Sequence, residues 1–235
     1  PEAVEKTLRP RIRDMLPDFS GENLSDERLK NAKSVTFVAC GTAMHAGLVG
    51  KNVIEALCRI PVRVEIASEF RYNNPILDRD DMVVVISQSG ETADSLAALR
   101  LAKERGAYTL GVVNVIGSTI AREADNVIYT WAGPEISVAS TKAYTVQISL
   151  IYLLAIRMAQ LCGKIDEAEA KKLTETLFAK MPAVIRRVLE QKETVRAAAA
   201  EIADSEHLFF IGRGMDYHLA LEGSLKLKEI SYIHS

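Results

Sequence analysis

Residues 82–107 read MVVVISQSGETADSLAALRLAKERGA. Met82–Ile86 is an unbroken apolar run rich in β-branched residues, the composition of a strand buried on both faces. After the junction a helical pattern of apolar residues begins and stops on Gly106, a natural C-terminal signal. Between them lies SQSGET (87–92), and in an open parallel sheet such a strand end is where ligands bind. The helix is expected to begin near Gly90, with its first N–H groups unpaired and its dipole positive there. Gly90 lets a ligand approach the backbone closely. Ser87, Ser89 and Thr92 add hydroxyls, and Gln88 adds an amide. Together they suit a phosphate cradle built from neutral donors. The simpler alternative is that Ser89 is a helix N-cap and the other groups solvate a loop. The stretch has neither G-x-G-x-x-G nor Gly-Lys-Ser/Thr, so a small phosphorylated ligand fits it better than a nucleotide.

Outward from this stretch, strand and helix alternate. SVTFVA (34–39), VRVEIA (62–67), YTLGVVN (108–114) and NVIYT (126–130) read as further strands. TAMHAGLVGKNVIEALC (42–58), STIAREA (118–124) and STKAYTVQISLIYLLAIRMAQL (140–161) read as helices. Continuous apolar strands alternating with helices predict an α/β fold, a doubly wound parallel five-stranded sheet covered on both faces. Two more strand ends are rich in hydroxyls: Thr42 after the first strand, and Ser140 with Thr141 after the last. A polyol phosphate would require such a rim.

Four regions follow. Residues 1–30 are polar and helix-prone and read as a leader or linker. Residues 31–165 form the first α/β unit. Residues 166–203 are amphipathic, without a strand, and read as a helical connector. Residues 204–235 begin a second unit. VTFVACGTAMHAGLVGKNV from Val35 aligns without a gap on LFFIGRGMDYHLALEGSLK from Leu208, placing Gly41, His45 and Gly50 on Gly214, His218 and Gly223. This points to an internal duplication. One strand and one helix cannot bury the apolar face they present, so further chain is expected after Ser235.

The formal net charge of -2, without a long basic patch, argues against nucleic acid. Cys40, Cys58 and Cys162 sit apart in apolar runs and read as reduced thiols of a cytoplasmic protein. The four histidines lack zinc spacing, and neither a metal nor a cofactor is expected. The apolar stretch VQISLIYLLAIRMAQLCG is interrupted by Arg157. It reads as a buried core helix, too short and too broken to cross a membrane. Glu222, Lys226 and Glu229 lie on one helical face at i, i+4 and i+7, where a surface ion-pair ladder is the simpler reading.

ACGT, EIASEFRY, SQSGETADSLAALRLAK, EISVASTKAYT, GRG and ALEGSLKLKEISYIHS together closely resemble the isomerase half of the glutamine–fructose-6-phosphate aminotransferases, built from two sugar isomerase (SIS) domains. The resemblance covers nearly the whole chain from about residue 30. It implies transfer of glutamine-derived ammonia to fructose 6-phosphate and isomerisation to glucosamine 6-phosphate. It also implies phosphate contacts from Ser87, Gln88, Ser89 and Thr92, and sugar contacts from Thr42, Ser140 and the backbone near Val138. Glu229 would move a proton between C1 and C2, with Lys226 beside it; a carboxylate in reach of both carbons is what an aldose–ketose isomerisation needs. Ala43 stands where the family has serine, so only a backbone contact could survive there.

The resemblance further implies a glutaminase domain in the same polypeptide, a homodimer, and a later catalytic histidine and lysine beyond Ser235. The chain begins Pro1-Glu2 and contains no glutaminase domain with its N-terminal cysteine. A stand-alone SIS deglycase or deaminase of amino-sugar phosphates is one alternative. A non-catalytic sensor is another; it would need SQSGET but neither Glu229 nor Lys226.

Overall fold

The computed structural model describes residues 1–235. A short N-terminal helix α1 (Glu2–Leu8) leads to a hairpin of β1 (Ile12–Arg13) and β2 (Leu16–Pro17), then to α2 (Asp26–Asn31). The main sheet follows: β3 (Ser34–Ala39), β4 (Val62–Ile66), β5 (Asp81–Ser87), β6 (Tyr108–Val113) and β7 (Asn126–Tyr129). All five strands are parallel, in the order β4-β3-β5-β6-β7. The chain leaves β3 towards β4 on one side and returns to β5 on the other. The order therefore reverses between β3 and β5, the place where open α/β sheets bind ligands.

Alternation along the strands builds two cores. Val35, Phe37, Met82, Val84, Ile86, Leu110 and Val112 face a layer containing α3 (Thr42–Cys58) and α7 (Lys142–Leu161). Val38, Val83, Val85 and Val113 face α4 (Ala67–Phe70), α5 (Ala93–Glu104) and α6 (Thr119–Glu123). Each such fully buried side chain contributes roughly 1.5–3 kcal/mol.

Residues 1–30 are not a peripheral leader. Val4, Leu8, Phe19, Leu24 and Leu29 are fully buried in the α3–α7 core. Arg11, 3 % exposed, ties this segment to the sheet edge: it pairs with Glu22 (2.5 Å) and donates to the Tyr129 carbonyl (2.8 Å). Burial pulls its guanidinium pKa down despite Glu22.

The length argument about α7 also needs correcting. This 20-residue helix contains an 18-residue window of mean hydropathy 1.3, long and apolar enough by composition to cross a membrane. It packs instead against α1, α2 and α3, with Leu150, Leu153, Leu154 and Met158 buried.

Residues 166–203 are helical: α8 (Glu167–Glu175), a π-helical turn (Thr176–Lys180), α9 (Met181–Glu190) and α10 (Lys192–Ile202). The strand expected at 208–212 does not form. Its only ladder contact is an isolated bridge between His207 and His234, and Phe209 and Ile211 are 88 % and 91 % exposed. An extended segment becomes a strand only beside another, and here only His234 pairs with the start of the segment, at Glu206–Leu208. The helix after it, α11 (Met215–Ser231), does form and packs on α3.

Candidate functional site

Ser87, Gln88, Ser89 and Thr92 from the β5 end meet Thr42 and Ala43 from the β3 end and Ser140 from the α7 start. They line one cavity of about 250 Å³, with Cys40, Ile86, Ser95 and Gln147 completing the wall. Val138 stands apart, 90 % exposed on the loop before α7.

The SQSGET loop is held by its own hydroxyls and by its neighbour. Ser87 Oγ accepts the Gly90 N–H (3.0 Å) and shares a hydrogen bond with Thr92 Oγ1 (3.0 Å). Ser89 Oγ accepts the Glu91 N–H (3.1 Å). Three bonds come from the β6–α6 side: Asn114 N–H to Gln88 O, Ile120 N–H to Gly90 O, and Thr119 N–H to Glu91 Oε1 (2.7 Å). The Thr119 bonds hold the Glu91 carboxyl below the usual carboxylate range, and Glu91 does not line the cavity. Gly90 has φ +68°, and a Cβ there would collide with Ser118 Oγ and Cβ. Only glycine fits that turn.

The helix begins at Ala93, three residues later than expected, with Thr92 in the cap position. Glycine at positive φ and the turns closed by the Ser87 and Ser89 hydroxyls use residues 88–92 as loop. No side chain caps α5, whose Leu96 N–H bonds Thr92 O (2.9 Å). The N–H groups of its first turn thus open towards the cavity with the positive end of the dipole.

Gln88 Oε1, Ser95 Oγ and Gln147 Oε1 are buried and have no partner in the protein. Unpartnered buried polar atoms are costly, about 1–3 kcal/mol each, and three around one cavity indicate a polar guest. Ser95 and Gln147 escaped the sequence reading. The one available signal was Gln147, a lone amide within an apolar helix stripe.

The α7 start is different. Glu135 Oε1 accepts the N–H groups of Thr141 (2.9 Å) and Ala143 (3.2 Å), while Ser140 Oγ donates to Oε2 (2.9 Å). Glu135, also missed, therefore caps this helix from the preceding loop.

On the third side, α11 supplies charge. Glu222 is buried, unlike a member of a surface ladder. Thr42 Oγ1 donates to its Oε1 (3.0 Å), and His45 Nδ1 lies 2.6 Å from Oε2. Lys226 donates to Thr42 Oγ1 (2.7 Å) and to Glu229 Oε2 (2.6 Å), and its Nζ is 3.5 Å from Glu222 Oε1. Lys226 and Glu229 do not line the cavity; they reach it through Thr42. Burial, helped by the Glu222 charge, pushes the neighbouring Tyr144 hydroxyl up to about 12.

Comparison with known proteins fits this geometry. The chain is 52 % identical over 238 residues to a Clostridium tetani protein named glutamine–fructose-6-phosphate aminotransferase [isomerizing], and 51 % identical over 237 residues to one of that name from Symbiobacterium thermophilum. All of this chain is covered in both matches, but it spans only 39 % of each relative's length. The solved C-terminal domain of glucosamine-fructose-6-phosphate aminotransferase from Francisella tularensis superposes with a TM-score of 0.95 at 37 % identity, covering 99 % of this chain and 66 % of that one. A glucosamine-6-phosphate deaminase from Thermotoga maritima shares the fold at 20 % identity (TM-score 0.69, covering 99 % of this chain and 68 % of that one). Residues 28–157 and 201–235 match the SIS domain family, and with the parallel sheet and its switch-point cavity the chain belongs to that family.

Proposed function

We propose that this chain is the sugar-phosphate-binding part of the isomerase half of a glutamine–fructose-6-phosphate aminotransferase. The observation that carries the reading is the switch-point cavity, with an uncapped α5 and three unpartnered polar atoms. The likeness to the aminotransferases over the whole chain supports the choice of substrate. The phosphate of fructose 6-phosphate lies at the α5 N-terminus, held by Ser87, Gln88, Ser89, Thr92 and backbone N–H groups. Neutral donors suit it, because the helix end supplies positive potential without a buried cation. Thr42, Ser140 and the backbone at Ala43 and Val138 take the sugar; Val138 would have to swing inward from its exposed position.

Glu229, which stands behind Thr42 outside the cavity wall, would have to move inward to carry the proton between C1 and C2 after ammonia has condensed at C2. Lys226, bonded to both Thr42 and Glu229, orients the carboxylate against the substrate. Domain limits of 31–165 for the first SIS unit, 166–203 for the connector and 204–235 for the start of the second belong to the same reading. So do a glutaminase domain in the full polypeptide and a homodimer. A cytoplasmic location fits the three unpaired cysteines.

Calorimetry with fructose 6-phosphate and glucose 6-phosphate tests the site. The double variant Ser89→Ala, Thr92→Val removes two hydroxyls and should weaken binding by about 1–3 kcal/mol. Unchanged affinity would refute the phosphate position. In the full-length protein, glutamine-dependent formation of glucosamine 6-phosphate separates the synthase from a deaminase or a sensor.

A further inference from the structure

We propose that Glu135 determines which end of the cavity accepts an anion, making the site selective for hexose monophosphates over 1,6-bisphosphates. The inference rests on the phosphosugar reading above and adds a specificity residue to it.

Three helices begin on the cavity rim, and a helix N-terminus carries roughly half a positive charge. They are not equivalent. At α5 no side chain occupies the open N–H groups, and the nearby carboxylates are committed elsewhere: Glu91 to the Thr119 N–H and Asp94 to Arg71 (3.1 Å). At α7 the protein's own carboxylate fills the anion position, accepting two backbone N–H groups from that helix. At α3 the single ammonium of Lys226 faces two carboxylates, Glu222 and Glu229. The α3 end also lacks a side-chain cap, but carboxylates outnumber the ammonium beside it, so α5 alone is both uncapped and free of neighbouring uncommitted carboxylates.

Glu135 also fixes what Ser140 offers. The Ser140 proton is committed to Glu135 Oε2, so the hydroxyl presents lone pairs to the cavity. Lone pairs accept from sugar hydroxyls and repel phosphate oxygens, which are acceptors only. Lys142 makes no ion pair with Glu135; its exposed ammonium bonds the Pro134 carbonyl (2.6 Å), where solvent screens it. A monophosphate seated at α5 places its hydroxyl-bearing carbons towards Ser140 and Glu135. A second phosphate at the other end of the sugar would come against Ser140, with the Glu135 carboxylate directly behind that hydroxyl.

The test is a ratio measured on this chain by calorimetry with fructose 6-phosphate and fructose 1,6-bisphosphate. The unaltered chain should bind the monophosphate at least about tenfold more tightly, a difference of about 1.4 kcal/mol. Glu135→Gln keeps an oxygen for the α7 N–H groups but removes the charge. It should narrow the ratio about tenfold, through tighter bisphosphate binding. Glu135→Asp keeps the charge and should keep the discrimination. An unchanged ratio in Glu135→Gln overturns the proposal, as does a preference of the unaltered chain for the bisphosphate. A second measurement needs no variant. Raising the salt to about 1 M shortens the screening length to about 3 Å, so repulsion by Glu135 predicts a narrower ratio; a constant or wider one overturns it. If the unaltered chain binds neither ligand, the phosphosugar reading itself fails, a result distinct from binding without discrimination.

Discussion

The two copies of the strand–glycine–helix unit have the same local structure and opposite surroundings. Gly41 and Gly214 make nearly the same turn, φ 56° and ψ -133° against φ 57° and ψ -124°. Each is followed by a 17-residue helix. The structure adds another correspondence: a Cβ on Gly50 would press on the Phe37 ring, and one on Gly223 would press on the ring of Phe210, its counterpart. Yet Phe37 is fully buried in β3, whereas Phe210 is 43 % exposed in a segment without strand partners. Turn and helix are dictated by about twenty local residues, while the strand depends on its neighbours. The copies also differ in chemistry. The first carries Thr42 and Ala43 on the cavity wall; the second contributes Glu222, Lys226 and Glu229 from its helix.

The comparison breaks most decisively at the two phenylalanines. Phe37→Ala should destabilise the chain by about 3–5 kcal/mol, the cost of emptying a packed aromatic site. Phe210→Ala should cost a small fraction of that. Urea melts of the two variants measure the difference directly; equal losses would mean that the second copy is as well packed as the first.

The division of chemistry is sharpened by Glu229→Gln in the full-length protein. Turnover should fall at least about 10²-fold with little change in KM, because the variant keeps shape and loses the base. Sugar-phosphate affinity of the present chain should hardly move, since the phosphate donors all belong to the first unit. Near-normal turnover would return Glu229 to the role of an ion-pair partner.

The smallest effect concerns acid. Burial, with smaller contributions from Lys51 and His45, lowers the pKa of His218 on α11 below its ordinary value. The unfolded chain therefore takes up this proton first as pH falls. Stability from the neutral ring is present above about pH 6.5, the unfolded value, and declines below it until the folded pKa is passed. His218→Gln should flatten that decline in thermal melts between pH 7 and 5. His45, its counterpart in the first copy, lies against Glu222 instead.

The five sheet strands were legible to within about a residue, because strands buried on both faces write continuous apolar runs. The first thirty residues were not. Val4, Leu8, Phe19, Leu24 and Leu29 are scattered among charges, and only the assembled fold shows that they share a core. Most of the cavity lining could be read, since hydroxyls at strand ends carry a positional signal. Glu135 and Ser95 could not, because a loop carboxylate reaching back to a helix start and a serine inside a helix have no local pattern; Gln147 showed only as a lone amide in an apolar stripe. Glu222 was read as exposed because i, i+4 spacing describes one helix and says nothing of what packs on it.

Helix α7 has a consequence for how the protein is made. Its partners α1, α2, β2 and α3 precede it in the chain, and only α8 and the π-helical turn follow it. Domains fold from the N-terminus as the chain emerges during synthesis. This long apolar helix thus leaves the ribosome when most of the surface that covers it has already been synthesised. A circular permutant that moved Lys142–Leu161 to the front would reverse this order, leaving a 20-residue apolar helix to wait for its cover in the company of chaperones and other nascent chains.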